Sequence, residues 1–501
     1  MTLSFPSSLS GFSGLSRLAP LAAALVLAGC MSTPAVQEHA GVPVPPAFSE
    51  PANVASWTTA PPAEAQPRGA WWLGFRDPVL NDLVQRAGSG NTTVQEAAAR
   101  LAEARALLRS ADANRAPQVG VSTGVARQAG ANTANGTTPA TLATAGLNVS
   151  YELDLFGRLS QASDAARLDA QGRNALLQST LLMAQADVAQ TYLQLRAVQA
   201  ERALVDEGLA AYQGTLRLTE RRFQAGDVAE LDVARVQTEV ASTESDALAL
   251  ERQQALLTHA LAVLVGEVST GFTVPPAAAE AALPVIPAGV PGTVLARRPD
   301  VSAAQAAVLA AQARVGVAQA AWFPAVTLTG NGGYASPELG DLLKWSARSW
   351  GIGALLSLPI FDGGQRAAQE EGARARMEGA MAAHRGQVLT AFREVEDQLS
   401  ALRLMDGQAQ AQGRAVQSAV RATQLSDSRY RNGMVSQLEL LDARRSELRN
   451  RRQALQVRTA QYTATVGLIR ALGGGWGDDA AVPVAAAAPV AGAVQTAAAT
   501  R

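Results

Sequence analysis

The chain has 501 residues, 17% charged and 48% hydrophobic, with Lys+Arg 42 against Asp+Glu 43. A formal net charge of -1 supplies no basic field for a phosphate backbone, so a nucleic-acid partner has no support. With His 3 and Cys 1 there is neither a disulfide framework nor a Cys/His zinc cluster, and the charged fraction lies below the roughly 25% of soluble domains.

Residues 1–29 carry Arg17, an apolar run over 18–28 and the small-residue ending Leu27-Ala28-Gly29 before Cys30. That is the order of a secretory signal peptide, and it predicts export. The run is too short to serve as a mature membrane anchor. No later segment supplies about 18 uncharged apolar residues, so no transmembrane helix is expected after processing. Residues 30–75 read as an N-terminal linker, rich in Pro, Ala, Ser and Thr as far as about Pro67.

An internal repeat follows. Val94, Leu101, Leu108 and Pro117 recur as Val301, Val308, Val315 and Pro324, and Phe223, Gly226, Leu231 and Gly266 recur as Tyr430, Gly433, Leu438 and Gly473, always 207 positions later. Self-similarity of this kind decides the architecture. It predicts repeats at 76–270 and 293–475, a Pro-rich connection at 271–292 and a disordered Ala/Pro-rich tail at 476–501.

Each repeat reads as helix, strand, strand, long helix, helix. Residues 91–116 and 299–322 alternate large and small residues at heptad spacing, a coiled-coil seam that Pro117 and Pro324 terminate. The period then changes to two over 118–128, 143–155, 325–334 and 349–360, with Val, Leu, Ile and Trp on one face and Gly, Ser, Thr and Asn on the other. Strands of about ten residues with that alternation have the dimensions of a transmembrane barrel with a wet lumen. Four strands cannot close a barrel, because the smallest has about eight, so self-assembly is implied. The run Gly330-Asn-Gly-Gly333 lacks a P-loop lysine and reads as a turn at a strand end. Lys344 is the only lysine, which leaves arginine as nearly the whole cationic inventory. Predicted helices at 158–222 and 363–429 are each about 100 Å long, and those at 230–265 and 436–472 about half that.

With these elements placed, the words Trp71-Trp72 with Phe75, Asp77-Pro78 and Leu80, then Tyr151-Glu-Leu-Asp-Leu-Phe-Gly-Arg158, Arg298-Pro299-Asp300, Leu358-Pro-Ile-Phe-Asp-Gly-Gly364 and the turns Arg222-Phe-Gln-Ala-Gly226 and Arg429-Tyr-Arg-Asn-Gly433 can be read together. The chain resembles the TolC-like outer-membrane efflux channels, in particular the lipoprotein subgroup that includes OprM. The resemblance implies a mainly α protein with a membrane β-barrel, in which a homotrimer closes one twelve-stranded outer-membrane barrel on a long α-helical coiled-coil periplasmic tunnel. It implies a periplasmic adaptor and an inner-membrane pump, commonly proton-driven, as partners, a conduit that catalyses nothing, and no cofactor. Leu27-Ala28-Gly29-Cys30 resembles the bacterial lipoprotein box, which implies a covalent lipid on Cys30 and an outer-membrane address. The segment after Cys30 departs from the Gly-Pro-Asp-Tyr-like stretch of many relatives.

The resemblance makes Gly226, Asp227 and Val228 with Gly433, Met434 and Val435 the periplasmic tips that an adaptor grips. Glu439 and Asp442 lie three apart on a predicted helix and share a face, which on spacing alone is a solvated acidic face near a helix N-terminus. Matched to the family, the two fall where the constriction carries its acidic rings. The match also sets Tyr430 across from Asp232 as a gate pair; the expected basic partner is Val435 here, so a lock is either absent or uses Arg429, Arg431 or Arg444. His39, His259 and His384 have no acid or nucleophile at a recognisable spacing. A non-pore periplasmic coiled-coil adaptor would explain the heptads and the lipid, but not four amphipathic strands placed alike in two repeats. An exported enzyme lacks a catalytic constellation.

Overall fold

The computed structural model describes residues 41–50, 57–58, 68–129, 139–275, 281–287, 294–295 and 297–476. Cys30, the signal at 1–29, the loop at 131–138 and the tail from residue 477 lie outside the described residues. In chain order the elements are α1 Pro78–Gly90, α2 Thr92–Ala113, β1 Gln118–Gln128, β2 Ala140–Leu153, α3 Arg158–Gln224, α4 Glu230–Val265, α5 Pro299–Ala320, β3 Ala325–Ser336, β4 Arg348–Ser357, α6 Gln365–Arg431 and α7 Gln437–Ala471. The first residues of α2, β1, α3 and α4 recur 207 positions on as the first residues of α5, β3, α6 and α7. Both α3 and α6 have 67 residues.

Two compact units divide the chain, one holding Glu96–Gln178 with Pro299–Thr390, the other the described parts of Val44–Gln95, Ser179–Arg298 and Ala391–Arg501. The first contains a four-stranded antiparallel sheet in the order β1-β2-β3-β4. Register sets Val119 opposite Val149, Val121 opposite Leu147 and Gly330 opposite Ile352, so most apolar residues of the four strands share one face, with Leu142 and Leu355 as exceptions on the other. That face is open: Val121 is 77% exposed, Trp350 76% and Ile352 86%. Asn148, Asn331, Thr329 and Ser122 lie on the other.

Three expectations need correction here. Gly330-Asn-Gly-Gly333 is no turn but the middle of β3. A Cβ on Gly333 would stand 2.3 Å from the Ala145 carbonyl oxygen, and one on Gly146 would stand 2.8 Å from that of Gly332, so glycine here permits close strand approach. The strands also end earlier than 155 and 360, because Asp154 leaves the ladder to cap α3 and Pro359, just past Ser357, has no amide hydrogen to donate to a ladder; Asp362 then caps α6. Asp154 accepts from the Leu159 and Ser160 amides at 2.9 and 2.7 Å, and Asp362 accepts from the Arg366 amide at 3.2 Å. Finally, α5 is long and apolar enough by composition to cross a membrane, which no segment was expected to be. Half of it is buried in the protein, with Ala311 and Val315 packed on Ala373 and Met377 of α6.

The second unit is held by a core that includes Phe75, Leu80, Tyr192, Leu261, Leu399 and Leu468. Helix α1, absent from the expected elements, starts on Asp77, whose carboxylate accepts from the Val79 and Leu80 amides at 2.9 and 3.2 Å, with Pro78 in its first turn. The Tyr192 hydroxyl donates to the same carboxylate at 2.7 Å. Burial and the adjacent Asp77 push that phenol well above its ordinary pKa, so it remains a donor.

Arginine pairs tie the helices together. Arg452 of α7 reaches Glu201 of α3 at 2.7 Å and Asp246 of α4 at 3.1 Å, and Arg202 of α3 reaches Glu251 of α4 at 3.0 Å. The planar guanidinium fork suits this bridging better than an ammonium.

The duplicated joints are built alike. Gly266 follows α4 at φ 81° and Gly473 follows α7 at φ 83°, and a Cβ on either would stand 2.1 Å from the Gly90 oxygen or 2.9 Å from the Arg297 oxygen. Asn91 Nδ2 donates to the Leu264 carbonyl at 2.8 Å, and 207 positions on, Arg298 Nη1 donates to the Ala471 carbonyl at 2.9 Å. Different side chains thus satisfy the same orphan carbonyl at a helix C-terminus.

Candidate functional site

The hairpins α3–α4 and α6–α7 end in two turns of one design. The Gly226 amide donates to Phe223 O at 3.0 Å and the Asp227 amide to Arg222 O at 2.8 Å; Gly433 and Met434 repeat these bonds to Tyr430 O and Arg429 O at 3.0 and 2.9 Å. Gly226 and Gly433 have φ 80° and 71°, the left-handed cap that closes a helix on its last carbonyls. Ser436 then caps α7, accepting from the Glu439 amide at 3.5 Å in a Ser-Gln-Leu-Glu box. Gly226, Asp227, Gly433 and Met434 are exposed, while Val228 and Val435 are half-buried.

Apolar side chains surround these turns. Phe223 is 44% exposed, Leu231 58%, Met434 66% and Leu438 44%. Phe223, Leu231 and Leu438 served in the sequence only as markers of the repeat. Their signal was available: large apolar residues flanking a positive-φ turn, where no seam buries them.

Glu439 and Asp442 do share an exposed face of α7, but neither stands alone. Arg429, at the end of α6, lies 3.7 Å from Glu439, and Arg445 lies 3.4 Å from Asp442. Arg445 also pairs with Glu239 of α4, and that bond raises its pKa above the ordinary guanidinium value. Of the three arginines considered for a lock, Arg429 therefore faces the acidic pair. The other two, Arg431 and Arg444, converge on Asp427 at 2.8 and 3.1 Å. Arg444 additionally donates to the Ala211 carbonyl at 2.9 Å and to Thr215 Oγ1 at 2.6 Å, fastening α7 to α3. Asp427, which no sequence pattern singled out, is the centre of this cluster.

Tyr430 and Asp232 do not form a hydrogen-bonded pair within one chain. The Tyr430 ring is 4% exposed with the Arg222 guanidinium 5.0 Å from its centre, and its hydroxyl has no hydrogen-bond partner among the described residues. The Asp232 carboxylate instead lies 3.7 Å from Arg235, one turn along α4. Its backbone carbonyl accepts from Gln437 Nε2 at 3.4 Å, which ties the two turns together.

The motif words are joints. Glu152 holds Arg158 at 2.7 Å, Phe156 stacks on Phe323 at 4.8 Å, and Gly157 turns the chain at φ 74°, so Tyr151 to Arg158 fixes the passage from β2 into α3. Arg298 pairs with Glu394 of α6 at 2.8 Å with only 6% of its side chain exposed. Among the described residues, no three His, Cys, Asp or Glu side chains gather as a metal site would require.

A duplicated set of long helical hairpins joined to a sheet with one exposed apolar face and one small polar face defines a channel-forming membrane protein. The family described as outer membrane efflux protein matches residues 83–267 and 290–474, and the chain belongs to it. The cation efflux system protein CusC of Escherichia coli is 31% identical over 461 residues, which cover 92% of this chain and 99% of CusC. The antibiotic efflux pump outer membrane protein ArpC of Pseudomonas putida is 32% identical over 459 residues, covering 90% and 94%. The solved outer-membrane channel OprN superimposes with a TM-score of 0.80 at 30% identity, covering 89% of this chain and 100% of OprN. Outer-membrane efflux is thus the family's role, and the non-pore adaptor reading falls away.

Proposed function

We propose that the chain is the outer-membrane conduit of a tripartite efflux system, a homotrimer through which small molecules leave from the periplasm or from a pump. The sheet carries this reading. Strands β1 and β4 each have an unpaired edge, and the apolar face has no protein cover among the described residues. Hydrocarbon tolerates an exposed apolar face but no open edge, so the sheet must close on copies of itself. Three chains supply twelve strands, an even number within the barrel range.

Topology tests it. Single cysteines replacing Asn135, in the β1–β2 connection, and Asp227, in a helical turn, should divide cleanly when intact cells are treated with an impermeant maleimide. Only Asn135→Cys is expected to react. Labelling of both, or of Asp227→Cys alone, overturns the arrangement.

The exposed turns, with Gly226, Asp227, Val228, Gly433, Met434 and Val435 at their ends, suit a periplasmic adaptor, and the flanking apolar side chains give it something to bury. An inner-membrane pump supplies the energy, and the conduit inherits its substrates from that pump: CusC is named for cations and ArpC for antibiotics. A lipid on Cys30 would add membrane affinity of about 0.8 kcal/mol per buried CH₂, without which a closed barrel still holds. Metabolic labelling with a fatty acid is expected to mark the wild type and leave Cys30→Ser unmarked; an unmarked wild type removes the lipoprotein assignment.

Threefold repetition would convert Glu439 and Asp442 into two acidic rings about one turn apart, with Arg429 as a counter-charge, while Asp232 and Tyr430 support the same turns. Carboxylate rings hold cations at a constriction. Replacing both Glu439 and Asp442 by Ala is expected to raise single-channel conductance or lower cation selectivity in planar bilayers, and to change trimer stability by less than about 1 kcal/mol, since both are solvent-facing. Unchanged conductance and selectivity would move the gate to Asp232 and Tyr430.

A further inference from the structure

The outward face of the sheet is apolar except at one end. In β1 Val121 and Val125 share that face with Arg127, and in β4 Trp350 and Ile352 share it with Arg348. The outward positions of β2 and β3 carry no charged side chain. Both arginines are exposed, and both stand at the hairpin-tip end of an edge strand, away from the helices. In the outer membrane that end faces the cell exterior.

The surroundings fit an anion at a membrane surface. The Arg348 guanidinium lies 4.7 Å from the centre of the Trp345 ring, and Trp345 and Trp350 are 72% and 76% exposed. Indoles at this position mark the level where hydrocarbon gives way to head groups. No ion pair engages Arg127 or Arg348 among the described residues; Arg348 donates to the Trp345 carbonyl at 3.4 Å, and of the two connections 129–139 contains no Asp or Glu while 337–347 contains Glu338 and Asp341. Lys344 is already held by Asp341 at 2.6 Å.

A guanidinium that faces lipid needs a partner at the interface, and phosphate is the group whose geometry its paired donors match. We propose that Arg127 and Arg348, flanked by Trp345 and Trp350, bind the phosphate groups of the phosphorylated glycolipid in the outer leaflet. The site rests on the closed trimeric barrel proposed above, since closure sets β4 of one protomer beside β1 of the next. The two arginines then lie on neighbouring strands at each of the three seams, and each seam becomes a two-cation site that a single chain does not complete.

Native mass spectrometry of the purified full-length protein tests this, with equimolar bisphosphorylated lipid A and its enzymatically dephosphorylated form added to the detergent. Wild-type trimer is expected to retain the phosphorylated form about tenfold over the other, since each phosphate contact is charge-assisted. Arg127→Gln with Arg348→Gln should lose that preference at an unchanged trimer mass, and each single variant should lose part of it. Equal retention of both lipids by wild type, or an undiminished preference in the variants, overturns the site. Equal competition by phosphatidylglycerol overturns the glycolipid assignment. A single-chain mass overturns the closed barrel and this site with it, whereas a trimer without a phosphate preference overturns this site alone.

Discussion

A Val121→Arg chain is expected to reach the outer-membrane fraction at less than about one-tenth of the wild-type level and to form no heat-resistant trimer. Val121 is 77% exposed near the centre of the apolar band of β1, opposite Leu147. A charge on the lipid side at that depth costs about 2–4 kcal/mol, and a trimer incurs the cost three times. The neighbouring substitution Ser122→Arg is the control, because successive residues of a strand face opposite ways and Ser122 lies opposite Gly146 on the small polar face. It should assemble, and the added lumen charge should shift ion selectivity toward anions. Equal accumulation of the two variants, or loss of Ser122→Arg alone, would reverse the assignment of the faces.

Arg298→Ala is expected to destabilise the second unit by about 3–5 kcal/mol, read as a lower denaturation midpoint of the purified protein. Arg298 is nearly enclosed, pairs with Glu394 at 2.8 Å, and donates to the carbonyl of Ala471, the last residue of α7. Truncation leaves a partly buried carboxylate without its counter-charge and a helix-terminal carbonyl without its donor. The first repeat shows what a neutral solution looks like, since Asn91 serves the equivalent carbonyl of Leu264. Adding Glu394→Gln to Arg298→Ala should therefore recover part of the loss. An unfolding free energy within about 1 kcal/mol of wild type for Arg298→Ala would mean that the pair is dispensable.

Much of the fold was legible because its determinants are local. Pro117 and Pro324 end helices, the change of period marks the strands, and the common spacing of the two repeats carries each element from one copy to the other. The errors have equally local causes. Leu155, Leu358 and Ile360 continue an apolar alternation, but Asp154 turns the chain to cap α3 and Pro359 offers no amide hydrogen to a ladder, and hydrophobicity registers neither. Gly330 to Gly333 have turn propensity, yet their use here is the close approach of neighbouring strands that a Cβ would block. Helix α1 had its signal in Asp77-Pro78, and only the shortness of its apolar pattern concealed it.

The tips were less legible. Gly226 and Gly433 announced the turns, and Glu439 with Asp442 announced an acidic face. Which arginine meets which carboxylate depends on how helices distant in sequence are rotated against each other. Arg445 meets Glu239 and Arg444 meets Asp427, whereas Arg429, one residue before Tyr430, takes Glu439. Spacing along one helix contains none of this. Within one chain Tyr430 and Asp232 are likewise turned to other neighbours, Arg222 beside the ring and Arg235 beside the carboxylate.

Arginine supplies the cation of the helix-to-helix ion pairs described above, and Lys344, between β3 and β4, is the sole side-chain amine. Its side chain is 61% exposed. A fluorescent ester applied to the purified protein would tag each protomer once, at Lys344, apart from any free N-terminus. Stepwise photobleaching of single molecules would then count subunits, with no engineered cysteine and no dye on the arginine-bound helices.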